Sequence, residues 1–188
     1  MKGGNMRTIK VKVFTFDELN DDAKERAREW YRRGQEPGGN WASEWRQTAE
    51  EAAKFLPFEI TDWSVGDYRQ FVKIRVKNND VADMSGVRLW KWLKAGSVNG
   101  SQWFNLGVDP FASCPFTGYC GDDFILDPIR VFLVRPDIST TGRELFQACA
   151  DSWVDAWAKD MEWCDSNECI DENILANGYE FDENGRRA

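Results

Sequence analysis

An α+β fold is what this sequence predicts: a small antiparallel sheet of about three strands packed with five or six helices, the C-terminal half rich in helix. Three observations predict it. Ile9-Lys10-Val11-Lys12-Val13 and Val72-Lys73-Ile74-Arg75-Val76-Lys77 alternate apolar and polar residues, the period of a half-buried strand. Phe146, Ala150, Trp153, Trp157 and Met161 recur at the spacing of one helical face. Ten Trp and twelve Phe among 188 residues supply apolar matter for a core, too much for a disordered acidic chain.

The elements follow in order. Thr8 to Phe16 reads as the first strand, and Asp17 to Arg33 as a helix with Leu19, Ala23, Ala27 and Trp30/Tyr31 on its apolar side. Acids fill the first turns of that helix and Arg28, Arg32 and Arg33 its last, as the helix dipole favours. Gln35 to Gly39 is a turn. Asn40 is placed to cap a second helix reaching about Phe55, with Trp41, Trp45, Ala49, Ala52 and Phe55/Leu56 inward, and Pro57 ends it. Phe58 to Val65 and Gln70 to Lys77 form a hairpin around Gly66-Asp67, expected to share one sheet with the first strand.

Asp83 to Ala95 predicts a short helix with Val87, Trp90 and Lys94 on one side. Ala95 to Asp123 is Gly-punctuated and aromatic, with no clear period, and a stretch of that kind inside a domain commonly serves function. Asp127-Pro128 starts a helix of one or two turns through Val134. Thr141-Gly142-Arg143-Glu144 has the reciprocal capping pattern and opens a helix to about Trp163, with Asp151, Asp155 and Glu162 outward. Asn167 to Ala176 is the last helix, closed by Asn177-Gly178 and followed by extended Tyr179-Glu180-Phe181. The expected organisation is a single domain over 1–188, with 141–188 as a candidate subdomain.

Composition narrows the chemistry. With no histidine, Ser/His and Cys/His hydrolysis and histidine-bearing zinc sites are excluded, whereas catalysis by carboxylates, Lys, Tyr or Cys is not. No signal peptide or membrane span is read from the sequence, so the five Cys are expected to be reduced thiols in a cytoplasmic protein. Net charge is −8, and its distribution is uneven: residues 1–150 are balanced, while Asp151 to Glu183 holds eleven acids against Lys159 alone.

That acidic segment carries the leading functional reading. Asp151, Asp155, Glu162, Asp165, Glu168, Asp171 and Glu172 are the candidate partner-binding residues, since like charges on helices repel unless solvent or a basic partner relieves them. Trp103, Phe104 and Tyr119 in the Gly-rich segment 96–121 are a second candidate interface. Three other readings compete. Asp122, Asp123 and Asp127, or the Asp151/Asp155 pair, offer carboxylates for a metal-dependent enzyme such as a nuclease. Lys10/Lys12 or Lys73/Arg75/Lys77 offer basic strand faces to nucleic acid. Cys114 with Cys120 and Cys164 with Cys169 supply four thiols, at spacings looser than zinc pairs usually have. Core packing, helix capping and solvated acidic faces explain most of these residues, so no metal, no cofactor and no catalysis are expected.

Three blocks of the chain also carry a resemblance. Phe16-Asp17-Glu18-Leu19 with Asp22-Ala23-Lys24-Glu25-Arg26-Ala27-Arg28-Glu29-Trp30-Tyr31, then Cys114-Pro115-Phe116-Thr117-Gly118-Tyr119-Cys120, and the closing Ala176-Asn177-Gly178-Tyr179-Glu180-Phe181-Asp182-Glu183-Asn184-Gly185 are similar to a group of phage and prophage accessory proteins described as antitoxin-like. The resemblance implies a protein of the host cytoplasm that binds and inhibits a host protein, in anti-defence or toxin neutralisation. Joined to the charge asymmetry, it gives an expected partner with a basic surface, and no role for membrane or nucleic acid.

Overall fold

The computed structural model describes residues 12–34, 39–66, 69–95, 97–98, 101–102 and 111–188. In chain order the elements are β1 (Phe14–Thr15), α1 (Asp21–Gly34), α2 (Gly39–Phe55), β2 (Phe58–Ser64), β3 (Phe71–Val76), α3 (Asn79–Ala82), α4 (Gly86–Lys94), β4 (Ser97–Val98), β5 (Ser101–Gln102), α5 (Gly121–Val134), α6 (Gly142–Asp165), α7 (Asn167–Ala176) and β6 (Glu180–Phe181). The class is α+β, as expected. The strand pairing is not. Among the described residues three separate antiparallel ladders form, β1–β6, β2–β3 and β4–β5, so the first strand joins the chain's end and not the hairpin. The chain divides into two compact units, Met1–Pro37 with Glu162–Ala188, and Gly38–Met161, and their boundary falls inside α6.

In the first unit, Phe14 pairs with Phe181 and Thr15 with Glu180. The helix expected from Asp17 starts later, because Phe16–Glu18 is a separate 3-10 turn held by the Glu18 carboxylate on the Thr15 N–H at 2.9 Å. Asn20 then caps α1 by accepting from the Ala23 N–H at 2.9 Å. The buried core is Phe16, Leu19, Ala23, Ala27, Ile170, Ile174 and Phe181, with Trp30, Tyr31 and Tyr179 packed against it. Gly185, at φ 77°, lies directly on the Ala23 backbone, where any Cβ would collide.

In the second unit, α2 buries Trp45, Ala49 and Ala52 of the expected stripe, beside buried Leu56 and Phe58, while the side chain of Trp41 lies outside the described residues. Strands β2 and β3 pair Phe58 with Val76 and Ser64 with Phe71, with an irregularity between Ile60 and Asp62. The buried side of α4 is Leu89 and Leu93, away from the side that Val87, Trp90 and Lys94 share, where Val87 and Lys94 are exposed. Pro128 does not start a helix but sits inside the 14-residue α5. Its missing N–H leaves the Phe124 carbonyl without a helical partner, and Phe124 lies on the exposed side, where water can take that bond.

The start of α6 is the expected reciprocal cap: the Thr141 N–H donates to Glu144 at 2.8 Å, and the Glu144 N–H donates to the Thr141 hydroxyl at 3.3 Å. Gly142 lets this turn press on the Val81 carbonyl, a contact no side chain would permit. From there Phe146, Ala150, Trp153 and Trp157 run buried along α6 as the seam predicted. Trp157 stacks on Trp45 at 6.2 Å between ring centroids and 4° between planes, and the Trp153 indole donates to the Trp45 carbonyl at 3.2 Å.

Candidate functional site

Helices α6 and α7 carry the acidic candidates, and geometry sorts them into three groups. Asp171 is neutralised: the Arg28 guanidinium on α1 donates to both of its oxygens at 2.7 Å. That pair also holds α1 to α7, so Asp171 works inside the fold and is withdrawn from the candidate surface. Asp151 and Asp155, both exposed on α6, accept from amides of Gln147 (2.9 Å) and Gln70 respectively, with no cation paired to them among the described residues. Glu162 and Asp165 at the end of α6, with Glu168 and Glu172 on α7, are exposed and have no hydrogen bond or ion pair among the described residues.

Beside the last group stands a residue that sequence reasoning missed. Trp163 is 46 % exposed between Glu162 and Asp165, the most exposed Trp described, while the Trp seam of α6 is buried. Its position was readable: it falls six residues after Trp157, about 120° round the helix from the seam. Leu175, also exposed, continues the stripe Glu168–Glu172 one turn along α7. Carboxylates beside an exposed indole can hold a cation by charge and by the ring face together.

Of the second candidate interface, Trp103 and Phe104 lie outside the described residues, and Tyr119 is exposed at 39 %. The stretch from Phe111 to Cys120 is a series of turns tied down by the two acids that follow it. Asp122 is fully buried and accepts four hydrogen bonds: Thr48 Oγ1 (3.1 Å) and Thr117 Oγ1 (2.7 Å) on one oxygen, the Phe116 and Thr117 N–H groups (2.7 and 2.6 Å) on the other. Its acceptor capacity is filled by donors, the reverse of what a cation ligand needs. Helix capping does not explain Asp122 and Asp127: both lie inside α5, and Asp122 instead holds the turn that precedes it.

Asp123 and Asp127 face Arg130 at 2.7 and 3.1 Å. Burial works to raise the Asp123 carboxyl, but Arg130 and the N–H of Cys114 outweigh it and hold the group below the usual carboxylate range. Cys114, at φ 48°, points its thiol at the same carboxylate (3.4 Å). The hydroxyl of Ser113 would favour its thiolate, but burial and Asp123 prevail and push the thiol up, away from nucleophilic reactivity. Among the described residues no group of three or more Cys, Asp or Glu is arranged to hold a metal ion.

The basic strand face is occupied too. Lys73 pairs with Asp62 at 2.8 Å and Arg75 with Glu59 across the hairpin, while Lys77 donates to the Ala53 and Leu56 carbonyls (3.1 Å for the second) and closes the C-terminus of α2. Lys10 lies outside the described residues, and Lys12 sits 4.7 Å over the Phe14 ring. No described helix is long and apolar enough to cross a membrane. No protein-family model, curated protein or solved structure matches this chain.

Proposed function

We propose that this protein acts by binding another protein that presents a basic surface, through the carboxylates at the α6–α7 junction, with Trp163 as the aromatic anchor. The observation that carries this reading is the contrast within one unit. On α1, Glu25 and Glu29 are paired with Arg28, Arg32 and Arg33, whereas Glu162, Asp165, Glu168 and Glu172 have no paired cation among the described residues, and the Trp163 indole is exposed between the first two along the chain. An exposed Trp is of the residue type that carries binding energy in interfaces, and charges beside it steer association and select the partner. The resemblance to phage accessory proteins supplies the finer proposal: the partner is a host protein, and binding inhibits it in a defence or toxin system. No cofactor and no catalytic step enter this reading.

The test uses the full-length chain as bait in bacterial lysate, beside a variant with Glu162, Asp165, Glu168 and Glu172 changed to Lys. The expected result is one stoichiometric protein, recovered less as salt rises past about 0.1 M, where the Debye length is about 10 Å, and lost with the variant at unchanged melting temperature. A partner held equally by the variant would remove the acidic surface from the mechanism. Metal-dependent cleavage of nucleic acid with no protein retained would replace binding by catalysis.

A further inference from the structure

The second unit carries an apolar surface of opposite electrostatic character. Val131 and Val134 at the end of α5, Ile138 in the loop after it and Val87 on α4 are 67 %, 76 %, 79 % and 56 % exposed. Two contacts bring them together. The Trp90 indole on α4 donates to the Leu133 carbonyl at 2.9 Å, joining α4 to the last turn of α5. Gly86, at φ 52°, admits the Ile138 backbone so closely that a Cβ would stand 3.0 Å from its carbonyl oxygen, which puts Ile138 beside Val87. These contacts set four exposed aliphatic residues on adjoining segments, an apolar surface of the kind that marks an interaction site.

The charges around the strip identify its occupant. Helix α4 contains Arg88, Lys91 and Lys94 and no acid, and Arg135 ends α5. All four are exposed and none has a carboxylate partner among the described residues, in a chain whose net charge is −8. Two acids stand nearby with partners of their own, Asp137 accepting the N–H and hydroxyl of Ser139 at 2.8 Å and Asp83 facing Arg143 at 3.9 Å, and neither is paired with one of the four cations. Residues 96–110, which follow α4, hold one acid, Asp109, too few to answer four cations. A second copy laying the same strip against itself would set the cations face to face. An anionic membrane is disfavoured because the strip is aliphatic: Trp90, the ring that joins α4 to α5, has its N–H bonded and Lys94 at 4.5 Å over its face, so it is not presented as an interfacial anchor.

We propose that the aliphatic strip at the α4–α5 junction, with its rim of Arg88, Lys91, Lys94 and Arg135, docks an acidic amphipathic helix of a partner protein. Aliphatic residues of that helix at i, i+4 and i+7 cover the strip, and its Glu or Asp side chains meet the rim. This surface belongs to Gly38–Met161 and stands independently of the acidic surface of the other unit.

The test measures binding of two synthetic helical peptides, about five turns long, to the full-length chain by fluorescence anisotropy. Both carry the same Leu stripe; one has Glu and the other Lys at the polar positions. The Glu peptide is expected to bind with an affinity that falls with salt, and the Lys peptide at least about tenfold more weakly. Val134→Asp and Ile138→Asp, exposed positions that leave the fold intact, are each expected to weaken the Glu peptide at least about tenfold. Equal binding of the two peptides, or binding indifferent to Val134→Asp, overturns the proposal. So does a sedimenting dimer abolished by Ile138→Asp, which would make a second copy the occupant. Vesicles of phosphatidylserine and phosphatidylcholine that bind the chain through Val134 while the Glu peptide does not would overturn it in favour of a membrane.

Discussion

Arg28 and Asp171 meet at two points, Nε to Oδ1 and Nη2 to Oδ2, both at 2.7 Å. The pair is largely shielded from solvent, with side chains 18 % and 28 % exposed, and Arg28 also reaches Glu25 at 3.1 Å. Asp171→Asn keeps the shape and removes the charge, so one guanidinium bond loses its acceptor. A loss of about 1.5–3 kcal/mol is expected in urea unfolding, the range of a charge-assisted bond. Glu172→Gln, its unpaired neighbour, should stay within about 0.5 kcal/mol. Equal effects at the two positions would mean that the pair contributes nothing to holding α1 on α7.

Trp157 and Trp163 lie on one helix and should behave oppositely. Trp157 is 7 % exposed, parallel to Trp45 and edge-on to Trp153 at 5.3 Å. Trp157→Ala is expected to cost about 3–5 kcal/mol, as buried aromatic deletions do. Trp163→Ala should leave the melting temperature nearly unchanged and weaken the basic partner instead. If Trp163→Ala destabilises as much as Trp157→Ala, its ring is part of the packing and the anchor role is lost.

Asp122 gathers Thr48 from α2 and the Phe116–Thr117 turn onto the start of α5. Asp122→Asn turns an amide donor toward groups that are themselves donors. The expected cost is on the order of 3 kcal/mol, with faster hydrogen exchange at the Phe116 and Thr117 amides. Retained protection at those amides would show that the turn holds itself. The close approach at Gly121, where a Cβ would meet Thr48 Oγ1 at 2.8 Å, depends on the same arrangement.

What could be read from the sequence divides by range. The α6 cap was legible because Thr141 and Glu144 are three residues apart and satisfy each other locally. The α6 seam and the β2–β3 hairpin were legible for the same reason, since periods of 3.6 and 2 are local. Partners distant in the chain were not: nothing near Phe14 announces Phe181, and nothing near Asp171 announces Arg28. Pro128 reads locally as a helix start, yet packing of Ile125, Leu126, Ile129 and Phe132 on both sides of it carries α5 straight through. Of the site, the charge of the acidic segment was legible; which carboxylates lack partners was not, because pairing is tertiary. Trp163 was legible by its angle from the seam, but ten Trp in one chain read first as core.

Glu144 provides the pH dependence. The Thr141 backbone N–H, then the Thr141 hydroxyl, hold its carboxyl below the ordinary range, burial opposing them only weakly. Glu18 is lowered in the same way by Thr15. A carboxylate whose folded pKa lies below its unfolded value binds fewer protons when folded. Its contribution is complete above the unfolded pKa of about 4.3 and is lost as pH falls through the folded pKa. The melting temperature of the natural chain should therefore exceed that of Glu144→Gln by a constant margin from neutral pH down to about pH 5, and the margin should shrink steadily below about pH 4. Protonated Glu resembles Gln, so the two curves should converge at the acid end. Melts at fixed ionic strength across that range decide the matter: a margin that persists or widens in acid would mean that Glu144 stabilises α6 by something other than its ionised cap.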